Sequence, residues 1–182
     1  MNRWVNRWMN GRVNGRRRVV CLGGLVGWLF PAALRAADDM QFALDPTQPT
    51  FDPAAPVLLT WTLTNRTSQA WQVLSSEPDC DAVTLQIAAS DGGAARQLQL
   101  SLPRAAFRPE FVVLAAGATV RHQFDLRAFT SVFGIPLGPG RHTVGGTYSV
   151  ARLGYQPATR DVPLWRDTAV ALPARFTITP KP

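Results

Sequence analysis

In VLLTWTLTN, Leu59, Trp61 and Leu63 alternate with Thr60, Thr62 and Thr64, and this two-residue rhythm recurs along the chain from residue 40 onward. Successive side chains of an extended strand point to opposite faces, so such a rhythm builds a sheet with one apolar face. MQFALDP repeats it with Met40, Phe42 and Leu44, AVTLQIAA with Val83, Leu85 and Ile87, and ARQLQLSL with Leu98 and Leu100. The β-branched threonines between the apolar positions suit a pleated surface. No long stretch keeps the 3.6-residue spacing of an amphipathic helix, so a chain of this kind has to bury its apolar faces sheet against sheet.

Turn chemistry divides these runs. NRTS begins at Asn65, SDGG follows Ala89, and AAGA separates Phe111–Leu114 from the segment beginning at Thr119. FVVLAAGATVRHQFDL therefore reads as a hairpin around Gly117, and QAWQVL as a further strand with Trp71 and Val73 on one face. DPTQPTFDPAAP reads as a proline-rich crossing between the first two strands, and RAFTSVFGIPLGPG as a long loop with one helical turn at its start. RHTVGGTYSV and ARFTIT supply the last strands. About eight or nine short strands with no βαβ spacing predict an all-β, two-layer antiparallel sandwich with Trp61 in its core.

The first 36 residues read as an address. A basic stretch ending at Arg18 leads into the apolar run VVCLGGLVGWLFPAAL, and small residues follow in LRAADD. That is the order of a secretory signal, with cleavage expected after Ala36 or one residue later. The apolar run is shorter than the roughly 20 residues of a membrane span, so no stable span is expected after cleavage. The address also carries the charge. Seven of the 19 Lys and Arg precede residue 37 and none of the 12 Asp and Glu does, so residues 37–182 hold 12 of each sign. The overall +7 thus makes no case for nucleic acid as a partner. Residues 37–182 suffice for a single domain with its own core. Cys21 lies in the signal, which leaves Cys80 without a partner inside the processed chain.

Chemistry-bearing residues are sparse. His122 shares a strand face with Val120, Phe124 and Leu126, where a packed imidazole is expected, with Asp125 on the other face. His142 follows Gly-Pro-Gly-Arg at a strand start and is expected to be more exposed. Two histidines fall short of a zinc site without a further donor. Glu77, Asp79, Cys80 and Asp81 cluster in EPDCD, but the spacing departs from an EF-hand loop, and the acidic neighbours oppose a thiolate at Cys80. There is no G-x-S-x-G elbow and no H-E-x-x-H. No catalytic residue, metal or cofactor is therefore expected. The loop after Leu126 stands out instead, because Phe129, Val132, Phe133, Ile135 and Leu137 fall within nine residues. Apolar loop residues on a rigid scaffold either plug the core or meet a partner protein.

LTWTLTNRTSQAWQVL, FRPEFVVLAAGATVRHQFDLRAF and GPGRHTVGGTYSV together resemble bacterial immunoglobulin-like domains. The nearest resemblance is to the accessory domain beside the catalytic domain of secreted deuterolysin-type metallopeptidases. Phe111, Val112, Leu114 and Gly117 match one phrase of that domain, and Phe124, Asp125, Leu126 and Phe129 match a second more loosely. A weaker similarity is to the bacterial intracellular proteinase inhibitors. The resemblance covers roughly residues 55–152 and implies an immunoglobulin-like sandwich. It points to an exported, non-catalytic protein-binding module of the bacterial envelope, located in the periplasm or outside the cell. The implied partner is another envelope or secreted protein, with a peptidase as one candidate. Two alternatives stay open, a proteinase inhibitor and a small secreted hydrolase. Mass spectrometry of the protein from a secreting host is expected to give a start near Ala37, and recovery of the intact segment 1–36 would contradict it.

Overall fold

Ten strands and one helix form over the residues described by the computed structural model, which are 39–75, 81–89, 94–100, 109–151 and 153–181. By contacts the chain divides into Met1–Ala33 and Leu34–Pro182, and all of these elements belong to the second unit. The signal segment 1–36, residues 77–80 of EPDCD, the turn at Asp91–Gly92 and most of PRAAFRP lie outside the described residues.

The strands are β1 (Met40–Pro46), β2 (Thr50–Phe51), β3 (Leu58–Asn65), β4 (Trp71–Leu74), β5 (Val83–Ala89), β6 (Arg96–Gln99), β7 (Phe111–Leu114), β8 (Thr119–Asp125), β9 (Gly140–Ser149) and β10 (Thr168–Ile178). Helix α1 (Leu126–Val132) lies between β8 and β9. The alternation expected for β3 is realised, with Leu59, Trp61, Leu63 and Asn65 fully buried and the threonines between them only partly so. β3 is the middle of a three-stranded antiparallel sheet in the order β1-β3-β8. A second sheet runs β2-β10-β9-β5-β6, and β4 pairs with β7 in a third ladder.

The aromatic side chains tie these sheets together. Trp61 lies 6.5 Å from Phe42 and 6.4 Å from Tyr148 between ring centroids, and Tyr148 lies 5.8 Å from Trp165. β1 and β3 thus meet β9 through buried rings, whose apolar area dominates the stabilisation of a core this size. The approach is close at Gly146 in β9. A Cβ there would stand 2.6 Å from the Thr84 carbonyl oxygen and 3.0 Å from Leu44 Cδ1, so any other residue would push the strands apart.

Three features depart from the expected antiparallel sandwich of hairpins. β2 lies in the proline-rich crossing and pairs with β10 in parallel, Thr50 opposite Thr177. β10 begins at Thr168, well before ARFTIT, and carries a bulge between Ala171 and Ala174. The largest difference concerns AAGA and NRTS. Neither folds the chain back into a hairpin. β3 pairs with β8 and β4 with β7, so the chain order on both sides is that of one long antiparallel ladder broken at 66–70 and 115–118.

Asn65 holds the break. Its Nδ2 donates to the carbonyls of Gln69, Leu114 and Ala115 at 2.7, 2.9 and 3.1 Å. Its Oδ1 accepts from the amide and hydroxyl of Thr67 at 2.9 and 2.7 Å. Its main chain bonds Ala118 O and Gly117 N, and Gly117 turns with φ +74°, a left-handed conformation that favours glycine. One buried amide therefore satisfies carbonyls from both interruptions. On the far side of the break, Tyr148 closes the edge of β4: its hydroxyl accepts from Leu74 N (2.7 Å) and donates to Leu74 O (3.0 Å). Gln72 does the same for the segment before Trp165, accepting from Ala158 N at 2.7 Å and donating to Thr159 O at 2.8 Å.

Asn65→Ala is expected to cost about 3 kcal/mol or more in urea unfolding, since each buried group left without its partner costs ~1–3 kcal/mol. Asn65→Asp should be no less damaging, because it turns an oxygen toward three carbonyls. A loss below about 1 kcal/mol for both variants would show that the amide does not hold the break.

Candidate functional site

Asp125 starts the segment in which the apolar loop residues are gathered. It has extended backbone (φ −90°, ψ 106°), and its Oδ1 accepts from Arg127 N, as an N-cap residue does. The same oxygen accepts from Val57 N at 3.1 Å, which fastens the helix start to the entry of β3. The helix spans Leu126–Val132, about two turns rather than the single turn expected from sequence. Leu126, Phe129 and Thr130 face inward, and Phe129 meets Phe124 edge-on at 6.2 Å. After the helix, Ile135 N donates back to Thr130 O at 2.9 Å, so the chain doubles under its own last turn.

The five loop residues divide accordingly. Phe129 and Leu137 are buried, and Ile135 is half-buried against the core. Val132 and Phe133 stay outside, 57% and 40% exposed, with Phe133 resting 6.0 Å from Phe129. The segment is thus a plug with two apolar side chains at its tip.

His142 anchors the other end of the loop and corrects the expectation of an exposed ring. It is buried, stacked on Phe176 at 5.3 Å and 18°, and its Nε2–H donates to the Gly138 carbonyl at 2.8 Å. The Gly-Pro-Gly turn is held from inside by the histidine that follows it.

His122 sits where its strand face predicts, half-buried against Trp61 at 4.8 Å. Sequence reasoning missed its partner: His122 Nε2 and Ser75 Oγ share a hydrogen bond of 2.6 Å, directed by the imidazole tautomer. No local signal announces it, because Ser75 follows β4 and meets β8 only through the fold. A serine hydroxyl on an imidazole is the start of a nucleophile–base pair. Here Ser75 is only 5% exposed, and the contact links the end of β4 to β8. Asp81 accepts from the Tyr155 hydroxyl at 3.0 Å. Among the described residues no group of three or more His, Cys, Asp or Glu is gathered as metal ligands would be. No described helix is long and apolar enough to cross a membrane.

No protein-family model and no curated protein matches the sequence. Three solved structures show loose likeness. A β-glucosidase from Erythrobacter marinus aligns at 14% identity and TM-score 0.40 over 76% of this chain, which spans 15% of the enzyme. A CARDB domain from Pyrococcus furiosus aligns at 9% identity and TM-score 0.39, covering 79% of this chain and 96% of that one. An alkylpurine DNA glycosylase from Pseudomonas fluorescens aligns at 18% identity and TM-score 0.40, over 78% of this chain and 30% of the enzyme. At such TM-scores none of the three bears on what this chain does.

The division of the loop has a measurable consequence. Phe129→Ala is expected to lower stability by about 3–5 kcal/mol, the range for a large side chain removed from a core. Val132→Ser and Phe133→Ser should each stay within about 1 kcal/mol of the parent. Equal losses at Phe129 and Phe133 in denaturant melts would show that the tip is part of the core.

Proposed function

We propose that this chain is an exported, non-catalytic, immunoglobulin-like module that binds another protein of the bacterial envelope or its surroundings. The three-stranded β1-β3-β8 sheet and the five-stranded sheet that faces it through Trp61 and Tyr148 support the immunoglobulin-like reading. The basic and apolar opening of the sequence supports export to the periplasm or beyond.

The observation that carries the binding reading is the tip of Val132 and Phe133. Both are exposed, yet the segment around them is fixed by Asp125, by the Ile135–Thr130 bond and by the His142–Gly138 bond. A tip held this way loses little further freedom on binding, and its apolar area is available to a partner. Phenylalanine is among the aromatic residues enriched in the cores of protein interfaces.

The same rigidity favours one rival reading, a proteinase inhibitor. An inhibitor presents a preorganised loop to a cleft, and Pro136 and Pro139 flank Leu137 in this one.

Envelope extracts passed over the immobilised protein, with Val132→Asp and Phe133→Asp variants in parallel, test the binding reading. A defined partner retained by the parent and lost on both variants is expected. Retention that is unchanged by both variants would remove the tip from the interface. A panel of secreted metallo- and serine peptidases separates the rival, since only an inhibitor lowers their turnover through the same two residues.

A further inference from the structure

We propose that the outer edge of β8 takes up an extended segment of another protein as an added antiparallel strand, with a carboxylate opposite Arg121. This site is separate from the α1 tip and does not depend on it.

The two edges of the β1-β3-β8 sheet are not alike. β10 lies close beside β1, and the inward side chains of β1, Met40, Phe42 and Leu44, are 4% exposed or less. β3 is the only described strand that lies along β8. There the inward row is left partly open. Val120 and His122 are half-buried, whereas Leu63 and Trp61, their partners on β3, are fully buried. Apolar surface therefore remains at this edge for one more strand to cover.

The backbone of β8 is in the state that such a strand needs. The bonds from Asn65 N to Ala118 O and from Leu126 N to Val57 O place the even-numbered residues of β8 in hydrogen-bonded pairs with β3. In an antiparallel ladder the residues between them turn N–H and C=O the other way. Thr119, Arg121 and Gln123 therefore direct both groups out of the sheet, and no described residue bonds them there. β8 holds no proline and no bulge, devices that blunt an edge. It stays regular over its 7 residues, from Thr119 to the helix cap Asp125, which is roughly 23 Å of strand.

Charge selects the segment. Thr119, Arg121 and Gln123 carry their side chains on the outer face, and all three are exposed. Among the described residues Arg121 has no ion-pair or side-chain hydrogen-bond partner. An acidic residue directly opposite it on an added strand supplies one on the same face. The positions on either side of that residue point inward beside Val120 and His122, and they suit apolar β-branched side chains. The guest is therefore a short segment of alternating apolar and polar residues with one carboxylate among its polar positions. Backbone bonds hold it and charge sets its register.

The test uses a synthetic peptide, Thr-Val-Thr-Val-Glu-Val-Thr with both termini blocked, and amide hydrogen exchange of the protein followed by NMR. Its Glu falls opposite Arg121 when its first residue lies opposite Asp125. The expected result is saturable slowing at the amides of Arg121 and Gln123, with the even-numbered amides of β8 unchanged. The same peptide with Lys for Glu should bind the parent about fivefold more weakly, and the order of the two peptides should reverse on Arg121→Glu. Gln123→Pro removes an outward N–H without breaking a β3 bond, so it should abolish the slowing while unfolding stays cooperative. Phe133→Asp should leave both peptides unchanged, which separates this site from the α1 tip. No slowing at millimolar peptide, slowing confined to other strands, equal affinity for the two peptides, or undiminished binding by Gln123→Pro would each overturn the proposal. So would slowing that rises with protein concentration in the absence of peptide, since a second copy would then occupy the edge.

Discussion

A fully buried asparagine amide governs how this chain crosses its own middle. Two long strands, each interrupted by a turn, would leave several inward carbonyls without donors at the breaks, and buried polar groups in that state are costly. Asn65 supplies donors to carbonyls from both interruptions, while its own oxygen is occupied by Thr67. The aromatic layer of Phe42, Trp61 and Tyr148 depends on that arrangement, because it requires β3 to run straight into the break and β4 to leave it toward Tyr148. Hydrophobic burial provides most of the stabilisation, but a slip of two residues keeps the same side chains facing inward, so burial alone distinguishes such registers weakly. The amide is what makes one register the satisfied one.

Much of the fold was legible because strand periodicity is a local property. Met40, Phe42 and Leu44, the β3 alternation and Val83, Leu85 and Ile87 all face inward as their spacing requires. The misreadings arise where meaning is not local. NRTS and AAGA carry turn residues, and a turn signal says that the chain bends without saying whether it returns on itself. Gly117 is as necessary at a paired interruption as at a hairpin. β2 is two residues long between prolines, too short for any period to register. His142 follows a loop-like Gly-Pro-Gly, but Phe176, which covers its ring, comes from the far end of the sequence. Asp125 was a usable signal for a longer helix, since an aspartate before Leu-Arg-Ala-Phe is a capping pattern.

The sheet edges are treated unequally, and that inequality orders the surface. The outer edge of β4 is closed by a tyrosine hydroxyl at Leu74 and by the backbone of Pro163 and Trp165 at Gln72. The upper part of β10 is made irregular by its bulge. β1 is regular, and β10 lies close beside it without a hydrogen-bonded ladder. Exposed apolar side chains sit in two places: Val132 and Phe133 cap a firmly tied segment, and Leu172 stands in the bulge of β10.

The parallel pairing of β2 with β10 has a consequence for the order in which the molecule assembles. Thr179 donates its hydroxyl hydrogen to the Phe51 carbonyl across 128 positions of sequence, and contacts of such range are slow to form because the intervening chain must first be confined. β10 lies between β2 and β9, so β2 has no strand to pair with until residues 168–178 are in place. During synthesis the early strands β1 and β3 can pair long before that, and they would wait with Trp61 uncovered by Tyr148. The nascent chain thus passes through an interval in which its most apolar surface is formed but not yet buried. β9 shortens that interval by bringing Tyr148 onto Trp61, and β10 then covers Phe51 of β2 with Phe176, so the early strands depend on two later ones for their burial.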